Sequence, residues 1–282
     1  MTDVGRAELA ATARDDLVRR LDDLLGERLR LEQKRPRDGA GWVDVSGHDL
    51  AAVCPSQWSV AFDDFVPSAS TAAGAIGRLA LRDRRDGEPI AAAIERLLAA
   101  VHELDPHTAW FADWYEQELD RSGRAAVRAA ATTWAIGALA AVRGKPLSWV
   151  SRRQPYDVPD RMIRLRPNCD ATTAGSRPDV LLVMSGRAPT DPALELVAGF
   201  NALVDGLFRR QVPLRVRVGS AATASTVAFP VTADLLARTV ERVVQLVAWR
   251  VDADSAPTVP GRWCRDCHLL DVCPDAPSPG GP

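Results

Sequence analysis

Near its C-terminus the chain reads Cys264-Arg265-Asp266-Cys267-His268-Leu269-Leu270-Asp271-Val272-Cys273-Pro274, a segment with three cysteines at C-x2-C-x5-C spacing. Two thiolates three residues apart can bind one metal ion or one edge of a cluster, and the third can fold back to the same centre. The fourth ligand is either His268 within the segment or Cys54, far upstream. We favour Cys54. The site would then join the two ends of the chain around everything that lies between them.

Length and composition indicate a globular protein. The 282 residues suffice for one large domain, or one domain with a helical insertion, and a hydrophobic content of 46% allows a sizeable core. No apolar run reaches the ~20 residues that span a bilayer, and Met1-Thr2-Asp3-Val4-Gly5-Arg6 is not typical of a signal peptide. We therefore expect a cytoplasmic protein without membrane contact, in a reducing compartment that favours metal or cluster ligation over disulfides. Because the net charge is only −2, nucleic-acid binding depends on a local basic patch.

Apolar periodicity predicts that the first half of the chain is helical. Residues 1–41 form an N-terminal segment whose amphipathic helix is predicted over 6–34. A shorter helix over 49–62 carries Cys54. Further helical patterns predict a large insertion over about 69–143.

The second half of the chain changes to strand-like alternation, which predicts a sheet core over about 145–251. The strands are predicted over 147–153, 162–166, 179–184, 214–218 and 226–231, and the helices over 193–209 and 233–251. A cysteine tail over 259–274 follows. Residues 275–282 are rich in Pro and Gly and predict a disordered tail.

The combination of these features resembles the iron–sulfur-containing RecB-type nucleases. It consists of Cys54 followed by Pro55, a helical insertion, a mixed sheet and an ending of the form P-G-x-W-C-x2-C-x5-C-P. These nucleases belong to the PD-(D/E)XK superfamily, with the AddB nuclease domain and the CRISPR-associated adaptation exonucleases as relatives. The resemblance covers residues 42–274 and implies an α/β, restriction-endonuclease-like mixed-sheet core. It further implies a large helical insertion and a C-terminus stapled by a cysteine cluster.

The resemblance also implies a cofactor. In the family the cysteines hold a 4Fe-4S cluster, and the matching positions in this chain are Cys54, Cys264, Cys267 and Cys273. The same four thiolates would also satisfy a structural zinc site, so zinc is the alternative. Cys169 does not fit this frame, and we expect it to be a small half-buried residue and not a ligand or a nucleophile.

The family cuts DNA with a divalent metal ion, Mg²⁺ or Mn²⁺, held by carboxylates, and with a lysine that positions or activates water. Its early helix carries a Gly-x-x-x-His motif. The matching helix of this chain has Gly74 and, in the histidine position, Arg78. Asp170 corresponds to the first metal-binding aspartate. The resemblance thus leaves one carboxylate of the catalytic set in place.

The next strand departs from the family pattern. Val183 and Ser185 stand where the Asp/Glu-x-Lys motif has its carboxylate and its lysine, and no lysine lies between this strand and the C-terminus. Asp179, at the start of the strand, is the remaining acidic candidate. In the following helix, Glu195 and Phe200 stand where glutamine and tyrosine are expected. We therefore predict that the nuclease site is degenerate.

Three functions remain open. The first is a non-catalytic protein that binds DNA or serves as a subunit or scaffold of a DNA-processing complex, with a helicase or nuclease as its partner. Arginines of the sheet half could then contact phosphates, or they could be ordinary solvated residues. They are Arg152, Arg153, Arg161, Arg164, Arg166, Arg187, Arg209, Arg210, Arg215 and Arg217. The second function is an active divalent-metal-dependent DNA exonuclease with a migrated catalytic site. The third is a redox or oxygen sensor that works through the cluster.

Overall fold

The computed structural model is a mixed α/β protein, and the residues that it describes form two β-sheets. It describes residues 1–26, 42–50, 54–56, 68–103, 109–142, 147–150, 154–175, 178–184, 193–261, 264, 267, 269, 273 and 275. Within these residues, no helix is both long and apolar enough to cross a lipid bilayer.

Helices occupy most of the first half of the chain, and strands begin to dominate after residue 146. The α-helices are α1 (Asp3–Leu25), α2 (Gly47–Leu50), α3 (Ala69–Asp83), α4 (Ile90–Ala99), α5 (Ala109–Asp113), α6 (Arg121–Ala141), α7 (Leu194–Arg209) and α8 (Ala233–Val251). The strands are β1 (Val43–Ser46), β2 (Leu147–Trp149), β3 (Tyr156–Asp157), β4 (Ile163–Arg166), β5 (Ala171–Thr173), β6 (Val180–Met184), β7 (Arg215–Ser220) and β8 (Ser225–Pro230). A π-helical turn, Trp114–Glu118, follows α5 directly.

The longer predicted elements are confirmed. Helices α3 to α6 lie within the range of about 69–143 that was predicted to be helical, β7 and β8 match the strands predicted over 214–218 and 226–231, and α8 matches the last predicted helix. Helix α8 begins after Thr232, whose hydroxyl accepts a hydrogen bond from the backbone N–H of Leu235, as expected of a capping residue. Helix α1 ends at Leu25, and the rest of its predicted range to residue 34 lies almost entirely outside the described residues. The predicted helix over 49–62 is described only in part.

The prediction of the sheet core was too narrow. Strand β1 pairs in parallel with β4, and β4 pairs antiparallel with β3, which gives a three-stranded sheet in the order β1-β4-β3. Residues upstream of the predicted boundary at 145 therefore contribute a strand. The sequence analysis did not predict β1, β3 or β5, which contain two to four residues each.

The larger sheet has the strand order β2-β5-β6-β7-β8. Neighbouring strands are antiparallel except for β6 and β7, which are parallel. A parallel pair requires a crossover connection, and helix α7 lies within the segment that joins β6 to β7.

Hydrophobic cores lie on both faces of the larger sheet. Leu181 and Val183 of β6 point into a core that includes buried residues of α1, α7, α8 and the smaller sheet. Leu182 and Met184 point the other way, into the core formed by the helical insertion. The continuous apolar run of β6 is therefore explained by burial on both sides.

Helix α6 approaches the β7–β8 turn so closely that one position accepts only glycine. A Cβ atom at Gly137 would lie 1.9 Å from the backbone carbonyl oxygen of Ala221. Because the obstacle is backbone, it cannot be relieved by rotating a side chain.

We expect Gly137→Ala to lower the free energy of unfolding by about 1–3 kcal/mol, since overpacking outweighs the helix propensity that alanine adds. Urea unfolding would measure the change. Gly5→Ala is the matched control, because its Cβ would have no neighbour closer than 3.5 Å. Equal stabilities of the two variants would contradict the close approach.

Candidate functional site

The structure brings Cys54 against the segment that leads into the cysteine tail. The backbone N–H of Val259 donates a hydrogen bond to the Cys54 Sγ at 3.5 Å. Two residues further along, the Ser56 hydroxyl donates to the carbonyl oxygen of Ala256 at 2.9 Å, and the Ser56 N–H donates to that of Pro257 at 3.4 Å. These bonds join residues about two hundred positions apart, so the segment around Cys54 contacts the segment that leads into the cysteine tail.

The tail cysteines lie in short turns. Cys264 is buried, and its Sγ accepts a hydrogen bond from the backbone N–H of Gly261 at 3.3 Å. The N–H of Cys267 donates to the Cys264 carbonyl oxygen at 3.1 Å, and the N–H of Cys273 donates to that of Leu269 at 2.8 Å. Backbone N–H groups directed at sulfur stabilise a thiolate, and they commonly surround cysteines that ligate metals or clusters.

The fit to a metal centre is nevertheless incomplete. Among the described residues, no group of three or more His, Cys, Asp or Glu side chains has the geometry to hold a metal ion. The hydrogen bonds directed at the sulfur atoms of Cys54 and Cys264 are compatible with these cysteines as ligands. The four thiols of the predicted ligand set are nevertheless not gathered around one centre. Cys169 is buried in the core, where its thiol donates to the Ala171 carbonyl oxygen at 3.4 Å.

Two of the positions compared with the nuclease motifs, Arg78 and Asp170, form an ion pair that the sequence did not predict. Asp170 directly precedes β5 and is 8% exposed. Arg78, on helix α3, donates from Nε to Asp170 Oδ1 at 2.6 Å and from Nη2 to the carbonyl oxygen of Met184 at 3.1 Å. The second carboxylate oxygen of Asp170 accepts the backbone N–H of Met184 at 2.6 Å. One guanidinium thus bridges a carboxylate and a carbonyl on adjacent strands.

The surrounding helices are shaped to hold this guanidinium. The Arg78 guanidinium lies over the ring of Trp134, on helix α6, with 4.9 Å between its carbon and the ring centroid. At Gly77 a Cβ would lie 2.4 Å from the Trp134 ring, and at Gly74 it would lie 2.9 Å from Arg78 Nη1. The two glycines therefore allow the arginine and the tryptophan to approach. The Gly-x-x-Gly pattern has a packing role here.

Asp179 is not a partner of Asp170. It precedes strand β6, five residues from Met184 along the chain, which is about 16 Å at the rise of a β-strand. Its carboxylate accepts a hydrogen bond at 2.6 Å from Arg6, a residue of α1 that is 4% exposed. Asp179 therefore lies beside the first residue of β6 and Asp170 lies beside the last. Each carboxylate is paired with its own arginine.

The other positions compared with the nuclease motifs are also accounted for. Val183 and Phe200 are core residues. Glu195 pairs with Arg238 at 2.9 Å, and the hydrogen bond from Arg238 lowers the pKa of the Glu195 carboxyl. Ser185 lies outside the described residues. No further carboxylate or basic group from this set joins Asp170.

Many of the arginines in the sheet half are paired with carboxylates. These pairs are Arg161–Asp22, Arg164–Asp157, Arg166–Asp44 and Arg209–Asp205. Arg152, Arg153 and Arg187 lie outside the described residues. In the part of the chain that the structure describes, Arg210, Arg215 and Arg217 have no carboxylate partner. The predicted basic surface is thus smaller than the arginine count suggests.

Comparison with protein-family models finds no match to this chain, and comparison with curated proteins finds none either.

The Arg78–Asp170 pair gives a stability prediction. Arg78→Met keeps most of the side-chain volume but leaves the buried Asp170 carboxylate without its cation. We expect the free energy of unfolding to fall by about 1–3 kcal/mol, below the cost of breaking a fully buried pair because the Arg78 side chain is 43% exposed.

Arg82→Met, one turn further along the same helix, is the control for that experiment. Arg82 pairs with its neighbour Asp83 near the surface, so its removal should change stability by less than about 0.5 kcal/mol. Chemical denaturation of both variants would decide. A loss at Arg78 no larger than that at Arg82 would contradict a structural role for the bridge.

Proposed function

We propose that this chain is an iron–sulfur-cluster protein that resembles the RecB-type nucleases, has lost catalysis and acts by binding DNA or as a subunit or scaffold of a DNA-processing complex. The observation that carries the loss of catalysis is the Arg78 guanidinium on Asp170 and Met184. Mg²⁺ binds through oxygen atoms, and the guanidinium engages both a carboxylate oxygen of Asp170 and the adjacent carbonyl oxygen. The Arg78 guanidinium thus engages the oxygen atoms that an exchangeable Mg²⁺ ion would need as ligands.

Arginine cannot replace the missing catalytic groups. A metal ion activates a bound water and accepts oxygens of the substrate as ligands. A guanidinium stays protonated, accepts no ligands and is held here by the hydrogen bonds that bridge two strands. The bridge therefore supports the fold without supporting hydrolysis.

The topology supports kinship with the PD-(D/E)XK nucleases. The resemblance implies a mixed-sheet core with helices around it. The larger sheet has three consecutive antiparallel strands, β2, β5 and β6, and then a parallel strand, β7, reached through helix α7. Helix α3, which carries Arg78, precedes this sheet in the chain and packs on one of its faces.

The contacts of Cys54 support the cofactor part of the proposal. Cys54, Cys264, Cys267 and Cys273 would hold the 4Fe-4S cluster, with zinc as the alternative metal. When bound, the cluster would supply a covalent tie between the segment around Cys54 and the C-terminal tail. One hydrogen bond from Val259 to Cys54 and two from Ser56 to Ala256 and Pro257 join these segments in the structure.

Metal analysis of anaerobically purified protein tests the cofactor. We expect about four irons per chain with visible absorption, the signature of a cluster held by four thiolates. Cys54→Ser should lose most of the iron and lower the thermal stability, because it removes one ligand and the tie. Cys169→Ala, outside the frame, is the matched control and should keep the iron. One zinc without iron would favour the alternative, and equal iron in both variants would refute the ligand set.

A nuclease and binding assay tests the loss of catalysis. The wild-type protein should bind DNA with or without a chelator and should release no cleavage products with Mg²⁺ or Mn²⁺. Asp170→Asn should behave in the same way, because the carboxylate has no metal to hold. Metal-dependent cleavage that disappears in Asp170→Asn would instead establish an active exonuclease.

A further inference from the structure

Part of one face of the larger sheet is open to solvent. It is the face on which Leu182 and Met184 pack against the helical insertion. At one end α6 approaches the β7–β8 turn and Arg78 reaches Met184, so the helices cover the sheet there. At the other end Arg215, Ala228 and Pro230 are exposed, and Val180 is only half-buried. We call these four residues, together with Arg217, the open face.

The pairing of the strands fixes where the two arginines lie. Arg215 stands between Val180 of β6 and Pro230 of β8, and Arg217 stands between Leu182 and Ala228. Residues two apart on a strand point to the same side, so both arginines rise from this face about 6.7 Å apart. Their side neighbours are small or apolar and carry no charge.

The charge of this pair is not neutralised within the described part of the chain. Arg215 and Arg217 form no ion pair there, whereas Arg164, Arg166 and Arg209 each have a carboxylate within 3.0 Å. The acidic residue Asp179 directly precedes β6, but its carboxylate accepts a hydrogen bond from Arg6. The open face therefore presents two cations on the same side of one strand.

We propose that the open face binds the sugar–phosphate backbone of a single DNA strand, with Arg215 and Arg217 contacting successive phosphates. This inference rests on the DNA binding proposed above and assigns it a place. The two cations follow one strand at regular spacing, which suits the regular charges of a nucleic-acid backbone. The uncharged residues beside the two arginines offer few groups that could hydrogen-bond to base edges, so we expect the contact to be independent of sequence.

The test is the salt dependence of binding to a fluorescent dT oligonucleotide of about 20 nucleotides, longer than a typical site for one small domain. Arg215→Gln/Arg217→Gln removes two phosphate contacts. For single strands, we expect the slope of log K against log[salt] to become shallower by about 1.4, which corresponds to about 25-fold weaker binding at 0.1 M salt. Thermal unfolding of the variant should match that of the wild type, because Arg215 is exposed, Arg217 is half-buried, and neither forms an ion pair within the described residues.

The control is Arg14→Gln/Arg19→Gln, which changes the net charge equally on the exposed side of helix α1. This control should bind like the wild type.

Equal weakening in both double variants would assign binding to overall charge and overturn the open face as a site. Wild-type binding that the Arg215/Arg217 variant retains would also overturn it while leaving the proposed function intact. A wild-type protein that binds no DNA would refute the proposed function itself. If the double variant lost binding to poly-glutamate but kept binding to the dT oligonucleotide, the open face would instead be a site for an acidic protein, which would also overturn the proposal.

Discussion

The parallel pairing of β6 with β7 is the constraint on which the rest of the fold depends. Parallel strands cannot be joined by a tight turn, so α7 crosses between them, and helices pack on both faces of the sheet at β6. Helices α1, α7 and α8 cover one face, and the helical insertion covers the part of the other face that includes Leu182 and Met184. The insertion is therefore a layer of the structure and not an appendage. Its position over β6 also brings α3 within reach of Asp170.

A buried carboxylate at this position needs a positive charge, and the chain supplies one from α3. Removing a carboxylate from water costs several kcal/mol unless a partner repays it. In a metal-dependent site an ion from solution would do so. Here Arg78 does so permanently, because Gly74, Gly77 and Trp134 leave a place of matching shape for its guanidinium. Among the described residues, Arg78 is the charged partner of Asp170, and one guanidinium is enough to balance its single charge.

The sequence predicted what local periodicity or spacing encodes. The helices α7 and α8 and the strand β6 extend over enough residues to show their pattern. The ligand role of Cys54 stays a prediction, although its sulfur accepts a hydrogen bond from Val259. The bridge from Arg78 to Asp170 joins residues 92 apart, and no local pattern contains it. The sequence did contain one signal, an arginine in the place of the expected histidine, but its meaning required the geometry. The relation between the four thiols likewise depends on the fold of the tail.

The arginines show why composition is a poor guide to a binding surface. Their concentration in the sheet half suggested a broad basic patch, yet several are neutralised by carboxylates on neighbouring strands and helices. Whether an arginine remains available depends on what stands beside it in the sheet. Arg164 faces Asp157 across β3 and β4, whereas Arg215 and Arg217 face only uncharged residues of β6 and β8. Strand register, which the sequence alone does not specify, thus decides which positive charges the surface can offer to a ligand.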